Sequence, residues 1–144
     1  MKIIVSGAGK NKIVAVSGYF LWVHIGHIEY FQKAKRYGKV VAILNNDRQQ
    51  RLKYGKVIVP VKERAKVLKA IKYIDDIFIS IDKDETVCKS LAKLKPDYFV
   101  KGGDRTYDNI PEREICEKLG IKMIFGLGKK IQSSSKLYDK ISSI

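Results

Sequence analysis

Gly18-Tyr19-Phe20-Leu21-Trp22-Val23-His24-Ile25-Gly26-His27 is the stretch on which the chain turns. An apolar run over 13–16 leads into it and an amphipathic stretch over 28–37 leaves it, which predicts a strand, a tight glycine turn and a helix start. The chain has only two histidines, His24 and His27, and both stand here, three apart with Gly26 between them. On the first turn of a helix that spacing puts both rings on one face. The free backbone N–H groups of such a turn favour an anion such as phosphate. The plain structural alternative has one histidine capping the helix and the other packing. Collecting the whole histidine complement at one corner weighs toward function. Neutral imidazoles would donate to phosphate oxygens, and imidazolium would also offset charge building in a phosphoryl transition state.

Size and composition set the frame around that corner. With 144 residues and 45% apolar content, one domain over 1–144 with a real core is expected. No apolar run is long enough to span a membrane, and no signal peptide precedes the first periodic segment, so a cytoplasmic protein with no membrane partner is expected. Cys88 and Cys116 are isolated, without the paired spacing of a zinc site, and read as small buried residues. The net charge of +14 is uneven: residues 1–72 hold 16 Lys and Arg against 3 Asp and Glu, whereas 73–144 hold 13 against 12. A basic half invites nucleic acid. Its lysines, however, are scattered along helical segments without the interleaved aromatics of a single-strand platform, so a small polyphosphate such as a nucleotide is favoured and nucleic acid disfavoured.

Along the chain, Gly7-Ala8-Gly9-Lys10 hints at a phosphate loop but lacks the full Gly-x4-Gly-Lys-Ser/Thr pattern and reads as a surface turn. Nearly all-apolar strands are expected at 13–17 and 40–44, the kind buried on both faces of a parallel sheet, with a helix between them that stops at Gly38. Asn45-Asn46-Asp47 ends the second strand and faces a ligand or forms an Asx turn or cap. The polar, basic segment 48–56 is expected to be a flexible loop, either closing over a polyphosphate or merely solvated. Pro60 opens a helix over 61–71, with Glu63 in its first turn. A third strand is expected at 77–81, and the acidic cluster 82–85 is read as capping the helix 86–94 rather than as a metal site. A fourth strand over 98–101 runs into Gly102-Gly103-Asp104. The glycines allow close backbone approach to a ligand, and Asp104 offers an acceptor for ribose hydroxyls or a base amine. A helix from Asn109-Ile110-Pro111 to Leu119, a fifth strand at 122–125, a mobile basic loop over 126–130 and a last helix opened by Ser133-Ser134-Ser135 complete the order. Those serines are good N-caps; with Lys129 and Lys130 beside them they also suit a phosphate. Strand and helix alternate throughout, which predicts an α/β, Rossmann-like, five-stranded parallel sheet with helices on both faces.

These residues resemble a known family. The stretch from Gly18 to His27 is similar to the Gly-x-Phe-Asp-x-x-His-x-Gly-His signature of the cytidylyltransferase-like nucleotidyltransferases. Lys53 matches the lysine of that family's Arg-Leu-Lys-Gly segment, with Tyr54 inserted before Gly55, and Glu63-Arg64 matches the Glu-Arg that opens the next helix. Lys101-Gly102-Gly103-Asp104 resembles the Lys-Gly-Gly-Asp of the adenylyltransferase domain of ADP-heptose synthases, and the three serines fall where relatives carry Ser-Thr-Thr or Ser-Ser-Thr. The likeness runs from about 13 to 141 with the motifs in family order.

The resemblance implies transfer of AMP or CMP from an NTP to a phosphorylated small molecule (a sugar or polyol phosphate), with release of pyrophosphate and with Mg2+ accompanying the NTP. On the matching positions, His24, His27 and Lys53 would be catalytic, the histidines on the triphosphate and Lys53 on the transferring or acceptor phosphate. Gly18, Tyr19, Phe20, Gly26, Gly102, Gly103 and Asp104 would bind the nucleotide, with Lys130, Ser133, Ser134 and Ser135 on its β- and γ-phosphates. No residue is assigned as a metal ligand, and a homodimer is expected. The heptose-type motif tilts the donor toward ATP over CTP. Two departures stand out: the signature's Asp is Leu21, followed by Trp22, and the Arg that precedes the serines in glycerol-3-phosphate cytidylyltransferases is absent. A basic nucleotide- or RNA-binding module of the same fold, catalytically degenerate through the loss of that Asp, is the alternative.

Overall fold

The computed structural model describes residues 11–102 and 110–127. Five strands, β1 (Ile13–Gly18), β2 (Lys39–Leu44), β3 (Asp76–Ile79), β4 (Tyr98–Gly102) and β5 (Lys122–Leu127), form one sheet in the order β3-β2-β1-β4-β5. Every neighbouring pair is parallel. The helices are α1 (Ile25–Ala34), α2 (Asp47–Tyr54), α3 (Val61–Lys69), α4 (Cys88–Leu94) and α5 (Arg113–Leu119).

The apolar strands are explained by burial on both faces. Val14 and Val16 join Phe31, Ala34 and Leu68 in one core cluster, under α1 and α3. Ala15 joins Leu91, Phe99 and Cys116 in the other, under α4 and α5. Side chains alternate across a strand, so helices covering both sides require apolar residues at every position. The sheet order reverses between β1 and β4, and the carboxyl ends of those two strands are where such folds open a crevice.

Several boundaries move. The helix after the histidine corner begins at Ile25, three residues earlier than its amphipathic pattern, and a 3-10 turn over Lys35–Tyr37 follows it. β5 continues past Phe125 to Leu127, through a register shift against β4 at Gly126, whose φ is 76°. That left-handed conformation suits the glycine of a bulge.

The larger correction is segment 48–56, expected as a flexible loop: most of it is helix α2. Asn46 caps α2, and Gly55 ends it in the left-handed region at φ 83°. Only Leu52 is aliphatic in this helix, and its buried residues are Gln49 and Gln50, so no apolar period marks it. Hydrogen bonds replace apolar contacts there. Gln50 accepts from the Ile58 and Val59 N–H groups and donates to the Val59 carbonyl, which folds 55–60 back onto the helix.

Candidate functional site

At the carboxyl ends of β1 and β4 lies a cleft of about 730 Å³, lined among others by Ser17, Gly18, Tyr19, Phe20, His27 and Lys53. Its floor is a strained turn. Phe20 adopts φ 49°, rare for a residue with a side chain, and its ring folds back over Gly18. A Cβ on Gly18 would meet that ring at 2.8 Å, so only glycine fits. The Phe20 ring then packs edge-on against Phe31 and His27 at centroid distances of 5.3 and 5.2 Å. Phe20 is thus a core anchor, and the turn it holds throws Leu21 and Trp22 toward the cleft.

The histidines are fixed by the backbone of the helix they begin. His24 is the N-cap of α1, and its Nδ1 accepts the Gly26 N–H at 3.2 Å. His27 returns the bond, its Nδ1 accepting the His24 N–H at 3.2 Å. The rings stack at 4.0 Å with 28° between their planes. Since each Nδ1 accepts, each neutral ring carries its proton on Nε2, the nitrogen facing away from the backbone. Among the described residues neither Nε2 has a partner. Burial, and after it the neighbouring His24, lowers the His27 pKa to about 4; burial also lowers that of His24. Both are neutral donors near pH 7.

This revises the expected use of backbone N–H groups at the corner. The Gly26 N–H goes to His24, and the His27 N–H bonds the His24 carbonyl at 3.0 Å. The imidazole N–H groups are therefore donors available to an anion beside what backbone remains. His27 lines the cleft, and the His24 ring is stacked on it.

Lys53 comes to the cleft on a helix, not a loop. Its Nζ lies 4.7 Å from the Tyr19 ring centroid and 5.6 Å from that of Tyr54. The two tyrosines meet edge to face at 5.6 Å, and the Tyr19 hydroxyl donates to the Gln49 carbonyl. Burial first, then the Glu85 carboxylate, raises the Tyr19 pKa to about 12, so it stays a neutral phenol. Across the cleft Lys101 donates to Ser17 Oγ at 3.3 Å, joining the ends of β4 and β1.

Beneath these groups Arg64 is 1% exposed. It donates to the carbonyls of Val59, Tyr19 and Asn45 and to Asp47 Oδ1, at 2.8 to 3.1 Å. One guanidinium therefore ties the end of β2 to the backbone of the glycine turn. Asn45-Asn46-Asp47 resolves toward the capping alternative. Asn46 caps α2 and donates to the Ser80 and Asp82 carbonyls, and Asp47 holds Arg64 and the Val61 N–H. Asn45 still lines the cleft. The acidic cluster caps as expected: Asp82 accepts from the Lys89 and Ser90 N–H groups at the start of α4.

Gly102 ends β4 beside the cleft. Gly103, Asp104, Lys130, Ser133, Ser134 and Ser135 lie outside the described residues. Five cleft residues had no signal as such in the sequence: Tyr54, Ile58, Glu85, Val87 and Glu112. Glu112, following Pro111 at the entry to α5, is 5% exposed and accepts the Val87 N–H. Among the described residues no group of three or more His, Cys, Asp or Glu comes together to hold a metal, and no helix is long and apolar enough to cross a membrane.

A cytidylyltransferase-like family model matches residues 15–143. The bifunctional protein HldE of Geobacter metallireducens is 34% identical over 91% of this chain, which spans only 27% of that protein's length. The FAD synthase of Pyrococcus abyssi is 34% identical over 81% of this chain and 80% of its own. The crystal structure of the lipopolysaccharide core biosynthesis protein from Thermoplasma volcanium superposes with a TM-score of 0.68 at 24% identity, covering 83% of this chain and 98% of that one, a likeness of fold. With a glycine corner, paired histidines and a matching family model over nearly its whole length, the chain belongs to the cytidylyltransferase-like nucleotidyltransferases.

Proposed function

We propose that the protein, as a single nucleotidyltransferase domain, transfers AMP or CMP from an NTP to a phosphorylated small molecule and releases pyrophosphate. The observation that carries this is the reciprocal histidine cap. It spends both Nδ1 atoms on the backbone and leaves both Nε2–H donors without a partner among the described residues, with His27 lining the crevice and His24 stacked on it. Such donors need no reorganisation when charge builds on phosphate oxygens, which makes them worth most in the transition state.

An acceptor phosphate oxygen attacks the α-phosphorus in line, and the bond from that phosphorus to the pyrophosphate oxygen breaks. His27 and His24 donate to the oxygens that gain charge, without giving up their protons. Lys53, steadied over Tyr19, holds the acceptor phosphate close to the line of attack, and alignment supplies much of the rate. Gly18, Tyr19 and Gly26 keep the backbone close to the triphosphate, with Phe20 as their anchor. The same reading assigns Gly102, Gly103 and Asp104 to binding the nucleoside and Lys130, Ser133, Ser134 and Ser135 to the β- and γ-phosphates. Mg2+ would enter with the NTP substrate and neutralise triphosphate charge. The likeness to HldE-type Lys101-Gly102-Gly103-Asp104 favours ATP over CTP. A cytoplasmic homodimer goes with this reading.

The test is pyrophosphate release from MgATP and MgCTP across a panel of phosphorylated acceptors, including sugar phosphates, polyol phosphates and FMN. Release that depends on both NTP and acceptor is the expected result. No release with any pair, together with RNA binding that falls steeply with salt, would replace the proposal with a binding module that lost catalysis at Leu21.

A further inference from the structure

The crevice has a second wall, on the other face of the sheet from the histidines. Side chains alternate across a strand, and Ala15 and Phe99 lie in the core cluster under α4 and α5. Ser17 and Lys101, two residues beyond them, therefore stand on that face at the ends of β1 and β4. The Lys101 ammonium lies 5.2 Å from the Phe99 ring centroid and donates to Ser17 Oγ at 3.3 Å. The Ser17 hydroxyl accepts that bond, and its own proton has no acceptor among the described residues. His27 comes from the opposite face, packed against Phe20 and Phe31 of the other cluster. Among the described residues the cations lining the cleft are Lys53 and Lys101, set against the carboxylates of Glu85 and Glu112. Without Lys101 that lining would carry a net negative charge, which repels a triphosphate.

We infer that Lys101 is a further catalytic residue, contacting the non-bridging oxygens of the α-phosphoryl group in transfer, and that Ser17 positions it. The inference rests on the reading that a nucleotidyl group is transferred in this crevice. Position assigns the phosphate. Lys101 is joined directly to Gly102 and Gly103, which that reading gives to the nucleoside, and the phosphate nearest a nucleoside is the α-phosphate. Lys53, delivered by α2, is taken by the acceptor, and the β- and γ-phosphates go to residues beyond β5. An α-phosphorus seated where the strand order reverses between β1 and β4 then has the His27 N–H on one side and the Lys101 ammonium on the other. The bond to the acceptor phosphate oxygen forms as the bond to the pyrophosphate oxygen breaks, with charge on the α-phosphoryl oxygens throughout. An ammonium already fixed on Ser17 and Phe99 meets that charge without rearranging and gives up no proton. The unspent Ser17 O–H adds a second donor on the same side.

AMP, which carries only the α-phosphate, and adenosine, which carries none, isolate the contact by calorimetry; CMP and cytidine do the same if the donor is CTP. In wild type AMP should bind at least about 10-fold tighter than adenosine, the worth of a charge-assisted hydrogen bond. Lys101→Met keeps the stem over Phe99 and should cut that advantage to about twofold or less, whereas Lys53→Met should leave it intact. In turnover with ATP and the acceptor that releases most pyrophosphate, Lys101→Met should lower kcat by about 10²-fold with KM for the acceptor unchanged. Ser17→Ala should lower kcat by about 10-fold, and Ser17→Thr, which restores the hydroxyl, should recover most of it. No advantage of AMP in wild type, an advantage that survives Lys101→Met, or one lost in Lys53→Met instead would each overturn the inference. A loss confined to KM for the acceptor would overturn it too, by giving Lys101 to the acceptor phosphate. Each of these outcomes leaves the transfer reaction standing. An AMP advantage lost in Lys101→Met, with no pyrophosphate released by wild type from any pair, would keep the α-phosphate contact and remove the reaction.

Discussion

Two capping boxes stand side by side at the carboxyl edge of the sheet, and they put the same geometry to opposite uses. After β1, His24 and His27 exchange bonds with each other's backbone at the start of α1. After β2, Asn46 accepts the Gln49 N–H and Gln49 accepts the Asn46 N–H, both at 2.9 Å, at the start of α2. In the amide box the remaining polar atoms are consumed. Gln49 donates to the Asp84 and Thr86 carbonyls, and Asn46 to those of Ser80 and Asp82, which sews α2 to the loop after β3. In the imidazole box the far nitrogen of each ring has no partner among the described residues, and His27 lines the cleft. Helix capping explains one corner completely and the other by half, and the unexplained half is where the proposed chemistry sits.

The strongest way to break the comparison is to cut what joins the corners. Arg64 serves both, holding the Tyr19 carbonyl on one side and Asn45 and Asp47 on the other. Arg64→Leu strands those acceptors and should cost about 3–5 kcal/mol in denaturant unfolding, the range for breaking a buried pair. A loss under about 1 kcal/mol would mean that the corners are held independently.

Next comes the pair of substitutions that separates the two boxes. His27→Ala should lower turnover by about 10²–10³-fold, the effect of removing one transition-state donor, while costing only about 1 kcal/mol of stability as a lost cap. Gln49→Ala should do the reverse: about 2 kcal/mol of stability, from buried carbonyls left unpaired, and little change in turnover of the folded fraction. Equal effects of both variants on turnover would erase the distinction.

A smaller effect follows from protonation. His27 titrates near 6.5 when unfolded and at about 4 when folded, so between those values the unfolded chain binds more protons. Its contribution is therefore full above 6.5 and is lost as pH falls toward 4. After allowance for partial exposure, the loss is about 1–2 kcal/mol. His27→Gln copies the amide box onto the imidazole corner. Unfolding free energies between pH 7 and 4.5 should fall less in this variant than in wild type, with a residual slope from His24, whose pKa burial also lowers. An undiminished slope would place the titration elsewhere.

How much of this was legible in the sequence depended on what each segment buries. β1 and β2 were plain because both faces of each are covered, which leaves an unbroken apolar run. The histidine corner was plain because His24 and His27 are the only two histidines and sit three apart. The start of α1 was not, since histidine seldom serves as an N-cap and the apolar period begins only at Ile28. Helix α2 was hidden for a related reason: it buries Gln49 and Gln50 in hydrogen bonds that join residues up to 37 positions apart. The cleft wall from Glu85, Val87 and Glu112 was equally hidden, because each reaches the site through tertiary packing rather than through a local pattern.

The smallest expected effect sits at the far end of the amide-capped helix, where the comparison meets its own limit. The Asn46 box is structural, yet the helix it starts delivers Lys53 and Tyr54 to the cleft and stops at once in Gly55, with φ 83°. A Cβ at Gly55 would meet nothing within 4 Å, so the cost of Gly55→Ala is conformational alone, about 1 kcal/mol. If that stop also aims Lys53, the variant should raise KM for the acceptor severalfold and leave KM for the NTP unchanged. If neither constant moves while stability falls, the aim is set by the Tyr19 and Tyr54 rings instead. The amide corner then contributes to function only by keeping α2 folded, which makes the division between the two corners complete.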